Sequence, residues 1–351
     1  MSVTVFPWHT STWHDLLERK SNLPHALLFI GREGIGKIDF VRKLAQSLAC
    51  EIPASDGAAC GACQSCRWFA SSSHPDYREI LPEAMRGEEQ DTADGSPDAE
   101  STTSKRKPSQ EIRIEDVRSL QDFIFLTSHQ RGGKTIVFYP AEAMNTNAAN
   151  ALLKNLEEPP AGTRFMLVSH RPSELPATIH SRCQKVVLHT PTAEGAAKWL
   201  REQGVVEPTI SLAQTGNAPL LALKLSDDTF WSQRKDLLNG LSARDPVMLS
   251  LAEKLRDIPP VRLLGWLQRW TYDLLSVRSG GPVRFNPDYH KVIAETAHGL
   301  RPIDLSRYHR ELLRQQRTIH HPLNPRLYIE QLLLTYAAVT RGQRVRAGKP
   351  Y

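Results

Sequence analysis

The sequence has 351 residues, of which 40% are hydrophobic and 23% are charged, with a net charge of +6. This composition is that of an ordinary globular protein with room for two or three domains. Its longest apolar runs are too short to span a bilayer and its first residues lack the features of a signal peptide, so we expect a cytosolic protein that enters no membrane. The charge is compatible with work close to nucleic acid but too small to demonstrate it.

The first predicted element is a short apolar strand at 24–30 that runs into a glycine-rich segment. Residues 31–37 read GREGIGK and fit the phosphate-loop pattern G-x-x-x-x-G-K, and the apolar spacing after them predicts a helix. Glycines let backbone N–H groups converge on phosphate oxygens, and the lysine adds charge for the terminal phosphates. The candidate nucleotide-binding residues are Gly31, Gly34, Gly36 and Lys37.

Four of the five cysteines cluster in the next segment, at 50–66. An odd number of cysteines in a chain without an export signal argues against a disulfide framework. The spacing C-x9-C-x2-C-x2-C suits a closed, tetrahedral Zn²⁺ site, and hence a structural metal. An iron–sulfur cluster uses similar thiolates, and free buried thiols are the remaining explanation. The candidate metal ligands are Cys50, Cys60, Cys63 and Cys66, whereas Cys183 is expected to be a packed thiol.

The remainder of the first half alternates between predicted strands and helices. Residues 84–110 are the exception, because they are rich in Ser, Thr, Asp, Glu and Pro and predict a disordered insertion. Strands that alternate with helices indicate a parallel sheet covered on both faces, which should end near residue 190. The further predicted strands lie at 77–81, 134–139, 164–168 and 185–188, and the predicted helices at 114–123 and 147–156.

Two features that an ATPase site requires are missing. Ile38 stands where a Ser or Thr hydroxyl would hold Mg²⁺, and its side chain has no oxygen for a hard cation. The acidic pair expected at the end of the strand 134–139 falls on Tyr139 and Pro140, and the first carboxylate is that of Glu142. We therefore predict that the chain does not hydrolyse ATP by itself and that its loop is empty or binds nucleotide weakly.

Beyond residue 190 the apolar spacing predicts helices alone. Aromatic and aliphatic residues recur at i, i+3 and i+4 around Trp266 and Trp270, which is typical of a buried helix face rather than of a ligand site. The predicted helices lie at 193–203, 210–225, 245–258, 261–277 and 327–338.

Five stretches of the sequence carry a family resemblance. They are HALLFIG at 25–31, the loop at 31–37, NAANALLKNLEEPP at 147–160, LPATIHSRC at 175–183 and LNPRLYIEQLL at 323–333. These stretches resemble the clamp-loader branch of the AAA+ family and, within it, the δ′ subunits of bacterial DNA polymerase III. The cysteine segment and the damaged nucleotide site favour the δ′ subunits over their ATP-hydrolysing relatives.

The resemblance implies an α/β domain followed by all-α domains. Residues 1–190 would form the AAA+ P-loop sheet domain, with the zinc module at 50–66. Residues 191–240 would form a small helical lid, and residues 241–351 a helical domain that packs into a pentameric collar.

The resemblance also implies a role for the motif Ser181-Arg182-Cys183. In such rings an arginine of one subunit reaches the γ-phosphate of ATP bound to its neighbour, so Arg182 would be catalytic in trans, with Ser181 beside it. A planar guanidinium suits this task because it meets developing phosphoryl charge with two N–H groups. Without the motif, a surface ion pair would explain Arg182 equally well.

Two phosphate-sensing positions of the family also differ here. The strand 164–168 is followed by Ser169 and His170 where relatives carry Thr or Asn, and either residue can substitute. Leu220 takes the position of the second-sensor arginine of active relatives, so that phosphate contact is lost.

The resemblance thus implies a non-hydrolysing δ′ subunit, an accessory subunit of a DNA-directed DNA polymerase without activity of its own. Its implied partners are tau/gamma and delta subunits in a hetero-pentamer, and through that complex the sliding clamp and primed DNA; its implied cofactor is structural Zn²⁺. Two alternatives stay open. One is an active tau/gamma-like ATPase in which Glu142 replaces the lost acid, and the other is a cysteine loop that reads nucleic acid through Arg67, Trp68 and Phe69.

Overall fold

The computed structural model describes residues 5–86, 108–125, 133–225, 228–243, 247–318 and 324–341. The chain divides into two compact units, Met1–Pro191 and Thr192–Tyr351. The first contains a sheet covered by helices, and the described part of the second contains helices only. The fold class expected from the sequence, a parallel P-loop sheet followed by helical structure, is confirmed.

The sheet of the first unit has five parallel strands in the spatial order β2-β3-β4-β1-β5. The central strands read as continuous apolar runs because both of their faces are buried. All five strands were predicted from the sequence, with ends that shift by one or two residues. They are β1 (Ala26–Ile30), β2 (Tyr77–Ile80), β3 (Lys134–Phe138), β4 (Thr163–Ser169) and β5 (Gln184–Val187).

Successive side chains of the central strands enter two different apolar clusters, one on each face. On one face Leu27 and Phe29 pack with residues of α1 and α2. On the other face Leu28 packs with residues of α4, α5, α6 and α7. The helices of this unit are α1 (Thr10–Glu18), α2 (Lys37–Ala49), α3 (Gln64–Ala70), α4 (Ile114–Arg118), α5 (Leu120–Phe125), α6 (Thr146–Glu157) and α7 (Ala177–Arg182).

The helix predicted at 114–123 is interrupted. It forms two short helices, α4 and α5, which meet at Ser119. The Ser119 hydroxyl donates a hydrogen bond of 2.9 Å to the carbonyl oxygen of Asp116. A serine that bonds to the preceding turn in this way competes with the backbone bonds that would continue the helix.

The ends of the predicted insertion at 84–110 are ordered. Glu83–Met85 forms a short 3₁₀ helix, and the Ser109 N–H donates to a carboxylate oxygen of Glu83 at 3.0 Å. These two flanks are therefore held together, which composition alone did not predict. The rest of the predicted insertion, 87–107, lies outside the described residues.

The second unit contains two apolar clusters, one formed by α8 to α10 and a larger one formed by α11 to α16. Trp266 and Trp270 are buried in the larger cluster, which confirms their prediction as core residues. The helices are α8 (Ala193–Glu202), α9 (Pro208–Thr215), α10 (Pro219–Lys224), α11 (Asp228–Ser242), α12 (Met248–Lys254), α13 (Pro260–Arg278), α14 (His290–His298), α15 (Pro302–Thr318) and α16 (Pro325–Thr340).

The helix predicted at 210–225 is divided at Gly216 and Asn217, whose φ angles are +62° and +64°. A left-handed residue ends an α-helix, and glycine followed by asparagine accepts this conformation at little strain. The border predicted at 240 falls inside α11, whose apolar residues belong to the larger cluster.

Buried hydrogen bonds join the two clusters of this unit. Gln214 of α9 donates to the Phe285 carbonyl at 2.6 Å and to the Asn286 side chain at 3.2 Å. Asn286 in turn accepts from Arg234 and donates to Asp273, each at 2.8 Å. Because buried polar groups are costly to leave unpaired, these bonds resist separation of α9 from the larger cluster.

In the described parts of the chain, no helix combines the length and the apolar character that a membrane span requires. The cytosolic location stays a prediction.

Candidate functional site

The phosphate loop lies at the carboxyl end of β1, beside the ends of β4 and β5. Open parallel sheets bind ligands at this edge, where the strand order reverses. Helix α2 begins at Lys37, and Gly36 before it has a φ of +87°. Space demands glycine there too, because a Cβ on Gly36 would lie 2.3 Å from the ring of Phe6. The loop thus joins a strand to a helix, as the sequence predicts.

The Lys37 ammonium is bound by its own chain. Its Nζ atom contacts the carbonyl oxygens of Gly31 at 2.9 Å and Arg32 at 2.6 Å, and Nδ1 of His170 at 2.6 Å. An ammonium has three N–H donors, so these contacts use all of them. Burial lowers the pKa of Lys37 to about 8, against the opposing effect of the nearby Glu142 and Glu33 carboxylates. In this arrangement Lys37 has no donor left for a phosphate.

An N-terminal aromatic segment, which was not predicted from the sequence, covers the loop. The rings of Phe6 and Trp8 stack with 5.0 Å between centroids, and Trp8 Nε1 donates to the Ile35 carbonyl of the loop at 2.9 Å. His9 is buried, and neither of its ring nitrogens has a hydrogen-bond partner among the described residues. Burial, then the charge of Lys37, lowers the pKa of His9 to about 4. The sequence feature that could have indicated this segment is the run Phe-Pro-Trp ahead of the first helix.

Where an ATPase carries its acidic pair, this site has Tyr139 and Pro140 at the end of β3. The Tyr139 ring meets the His170 ring edge to face, with 5.4 Å between centroids. The nearby Glu142 is 1% exposed, and its Oε1 accepts the backbone N–H groups of His170 at 3.0 Å and Arg171 at 3.2 Å. Glu142 therefore supports the loop after β4 through Oε1, whereas its buried Oε2 has no hydrogen-bond partner among the described residues.

Three further positions were predicted to belong to the nucleotide site. Ile38 packs at the edge of the apolar cluster around α1 and α2. Ser169 is fully buried, and its hydroxyl has no hydrogen-bond partner within the described ranges. Leu220 belongs to α10 of the second unit and has no polar side-chain atom.

The four clustered cysteines converge as predicted, with all four Sγ atoms within 4.8 Å of one another. The Sγ atoms of Cys50 and Cys63 lie 3.9 Å apart, and those of Cys60 and Cys66 lie 4.0 Å apart. A tetrahedral Zn²⁺ with bonds of about 2.3 Å requires sulfur–sulfur distances of about 3.8 Å. The set thus fits one ion, and it is tight for an iron–sulfur cluster, which places several atoms between its thiolates.

Backbone N–H groups turn toward these sulfur atoms. The N–H groups of Ala62 and Cys63 point to Cys60 Sγ at 3.4 and 3.3 Å, and they lower the pKa of the Cys60 thiol to about 6. N–H donors favour thiolates, which are the metal-binding form. His74, close in sequence, is not a fifth ligand, because Nε2 contacts the Ser65 hydroxyl at 2.9 Å and Nδ1 accepts the Asp76 N–H at 3.1 Å.

Two of the three residues that could read nucleic acid pack against the ring of the buried His74. The centroids of the Trp68 and Phe69 rings lie 5.8 and 4.6 Å from that of His74. Trp68 and Phe69 are half-buried, and Arg67 is exposed. Each ring thus has one contact within the chain, which leaves less of its surface for stacking on bases.

Arg182 is the last residue of α7, and its side chain is 31% exposed. Nη1 donates to the Thr178 carbonyl at 3.0 Å and to the Ser181 hydroxyl at 3.2 Å, and Nη2 forms an ion pair with Glu157 at the end of α6. Cys183 is buried, and burial raises the pKa of its thiol to about 11, in keeping with a packed side chain.

Comparison with known proteins agrees with these features. Residues 10–192 match the family model described as DNA polymerase III, delta subunit, and residues 228–337 match the model of its C-terminal part. The δ′ subunit of Pseudomonas aeruginosa is 36% identical over 278 residues, which cover 77% of each chain. The chain belongs to the DNA polymerase III δ′ family. Within this family the Escherichia coli subunit is 30% identical over 94% of each chain, and that of Yersinia pestis is 31% identical over 84% of this chain and 83% of its own.

This δ′-family chain also has weak similarity to solved structures. A DNA polymerase III gamma subunit-related protein of Thermotoga maritima is 18% identical, with a TM-score of 0.43, and covers 94% of this chain and 99% of its own. The Bacillus subtilis DNA clamp loader delta protein is 10% identical, with a TM-score of 0.35, over 93% of this chain and 98% of its own.

Proposed function

We propose that the protein is a non-hydrolysing clamp-loader subunit that supplies Arg182 to the ATP site of a neighbouring subunit, with Ser181 beside it. It would assemble with tau/gamma and delta subunits in a hetero-pentamer that places a sliding clamp on primed DNA. Membership of the δ′ family supports the assembly. The site residues support the division of roles between this chain and its neighbour.

The observation that carries the proposal is the contrast between two cationic side chains. Lys37, which would bind the chain's own nucleotide, is 2% exposed and uses its three donors inside the loop. Arg182 is partly exposed at a helix end and uses only terminal nitrogens, whereas a guanidinium has five N–H donors. The chain's own phosphate site is thus satisfied without nucleotide, and Arg182 keeps donors for a phosphate outside the chain.

We assign a structural role to Zn²⁺ in the cysteine module. Four sulfur ligands complete a tetrahedral shell, so a bound ion has no open position for a water or a substrate. Cys50 caps the end of α2 and Cys63 caps the start of α3, so the ion would tie these two helix ends together. Such an ion stabilises the sheet domain and supplies no chemistry.

The proposal is tested with Arg182→Ala in a reconstituted loader that contains this chain with tau/gamma and delta subunits. We expect assembly to be unchanged and hydrolysis at the one neighbouring ATP site to fall by about 10³-fold or more, as for other trans-acting arginines. The matched control is Arg171→Ala, because Arg171 is an exposed arginine of the same unit that pairs with Glu174. Single-turnover ATP hydrolysis separates the affected site from the others.

Normal hydrolysis and clamp loading by the Arg182→Ala complex would contradict the trans role. Equal losses in the Arg182→Ala and Arg171→Ala complexes would contradict it as well, since they would indicate a general effect of removing surface charge.

A further inference from the structure

Arg182 is held by a carboxylate from a different helix. Glu157 is the last residue of α6, and its Oε1 forms the ion pair with Arg182 Nη2 at the end of α7. On the other terminal nitrogen, Nη1 is held by the Thr178 carbonyl and the Ser181 hydroxyl. Both ends of the guanidinium fork are thus fixed, one by its own helix and one by Glu157.

We infer that Glu157 is a positioning residue that holds the Arg182 guanidinium in the orientation from which it meets the neighbouring ATP. This inference rests on the proposed trans role of Arg182. Glu157 touches no nucleotide and acts only through the arginine.

The position of Glu157 supports a role outside its own helix. A carboxylate in the last turn of a helix faces the negative end of the helix dipole, which is unfavourable. A carboxylate has no proton to donate to the last carbonyl oxygens of α6, of which that of Leu156 lies 3.0 Å from Nε2 of His25. Helix α6 therefore gains nothing from an acid at 157, whereas Arg182 gains a charged acceptor.

The pair is suited to hold the arginine without trapping it. The Arg182 and Glu157 side chains are 31% and 49% exposed, and ion pairs so open to water are weak. The remaining N–H groups of the guanidinium can meet phosphate oxygens while Nη2 stays on Glu157. A long side chain that is already oriented occupies the productive geometry more often than one that is free to rotate.

The test is Glu157→Gln in the reconstituted loader. This substitution removes the negative charge and keeps the shape of the side chain. We expect kcat for ATP hydrolysis at the neighbouring site, resolved by single-turnover measurement, to fall by about two- to five-fold, which is the range that an exposed ion pair can supply. KM for ATP should not change, because the contact matters in the transition state. Glu158→Gln is the matched control, since Glu158 is the adjacent exposed acid and has no recorded contact with Arg182.

The double variant Glu157→Gln/Arg182→Ala separates positioning from general damage. If Glu157 acts through Arg182, its substitution has no further effect once the arginine is gone. An equal loss on both backgrounds, or wild-type kcat for Glu157→Gln, would overturn the positioning role and leave the trans role intact. If Arg182→Ala itself leaves hydrolysis unchanged, both the trans role and the positioning role fail.

Discussion

Helix α2 has a different kind of site at each end. At its N-terminal end, Lys37 and the phosphate loop are satisfied by carbonyl oxygens, a histidine and an aromatic cover of the same chain. At its C-terminal end, Cys50 begins a set of four sulfur atoms whose recorded polar contacts are weak S···S and N–H···S ones. Both ends have the residue types of a ligand site, and they differ in how strongly their polar groups are already bound within the chain.

The two ends of α2 show that a binding motif in the sequence does not by itself leave a binding site free for a ligand. A phosphate loop retains its shape when its backbone and lysine find partners within the protein, because the fold needs the turn after β1. Four sulfur atoms at tetrahedral spacing have weaker partners within the chain, since sulfur is a weak hydrogen-bond donor and acceptor. Substitutions at the two ends of α2 should therefore differ in their effects.

The largest effect is expected from removing a metal ligand with Cys66→Ala. Zinc content should fall from one ion per chain to none, and stability should drop by about 5 kcal/mol or more, because the binding free energy of a structural metal is folding free energy. This corresponds to a Tm lower by about 10 °C or more. Elemental analysis and thermal unfolding measure both quantities.

Cys183→Ala is the control for that experiment, because Cys183 is a buried thiol outside the cluster. It should retain the zinc ion. Acidification of the wild type should also release zinc, since protons compete for the thiolates. A Cys66→Ala protein that keeps a full equivalent of zinc would show that the four sulfur atoms are not the ligand set.

A smaller loss is expected from Gly36→Ala in the phosphate loop. The positive φ costs an alanine about 1–2 kcal/mol, and displacement of the Phe6 ring adds about 1–3 kcal/mol. Gly61→Ala in the cysteine loop is the matched control, because its φ is +75° and no atom lies within 4 Å of the added Cβ. Denaturant unfolding compares the two variants. Equal losses would mean that Phe6 does not press on the loop.

A feature of the fold or the site could be predicted from the sequence when the residues that form it lie close together along the chain. The apolar runs of β1, β3 and β4 and the cysteine spacing are local patterns, and each was found. The contact between Lys37 and His170 joins residues 133 positions apart, and no local pattern records it. The packing of Phe6 on the phosphate loop was not predicted for the same reason, since an aromatic residue before a helix has many places to pack.

A pH effect of comparable or smaller size is expected from the buried Lys37 ammonium. Its pKa is lowered from 10.5 to about 8 by burial, so the unfolded chain binds more protons than the folded chain between these values. The free energy of unfolding therefore rises between pH 8 and pH 10.5, by about 3 kcal/mol in total. Below pH 8 the folded protein carries the full cost of the buried ammonium.

Lys37→Met isolates this contribution because it removes the titrating group and keeps an apolar stem of similar length. The difference in unfolding free energy between wild type and variant should grow in favour of the wild type from pH 8 to pH 10.5. Parallel stability curves across that window would contradict a buried, charged lysine at this end of α2.

The smallest effect is expected from Ile38→Thr, which restores a hydroxyl at the position where ATPases bind Mg²⁺. We expect no increase in ATP turnover. A hydroxyl alone supplies neither the acid missing at Tyr139 and Pro140 nor a free donor on Lys37, so ATP turnover by the isolated chain should stay at background. Ile38→Val is the control for the change in packing, since Val and Thr have the same shape. ATP turnover in Ile38→Thr that a further Lys37→Ala substitution abolishes would restore the ATPase alternative. It would also mean that the loop, unlike the cysteine site, can exchange its internal partners for a ligand.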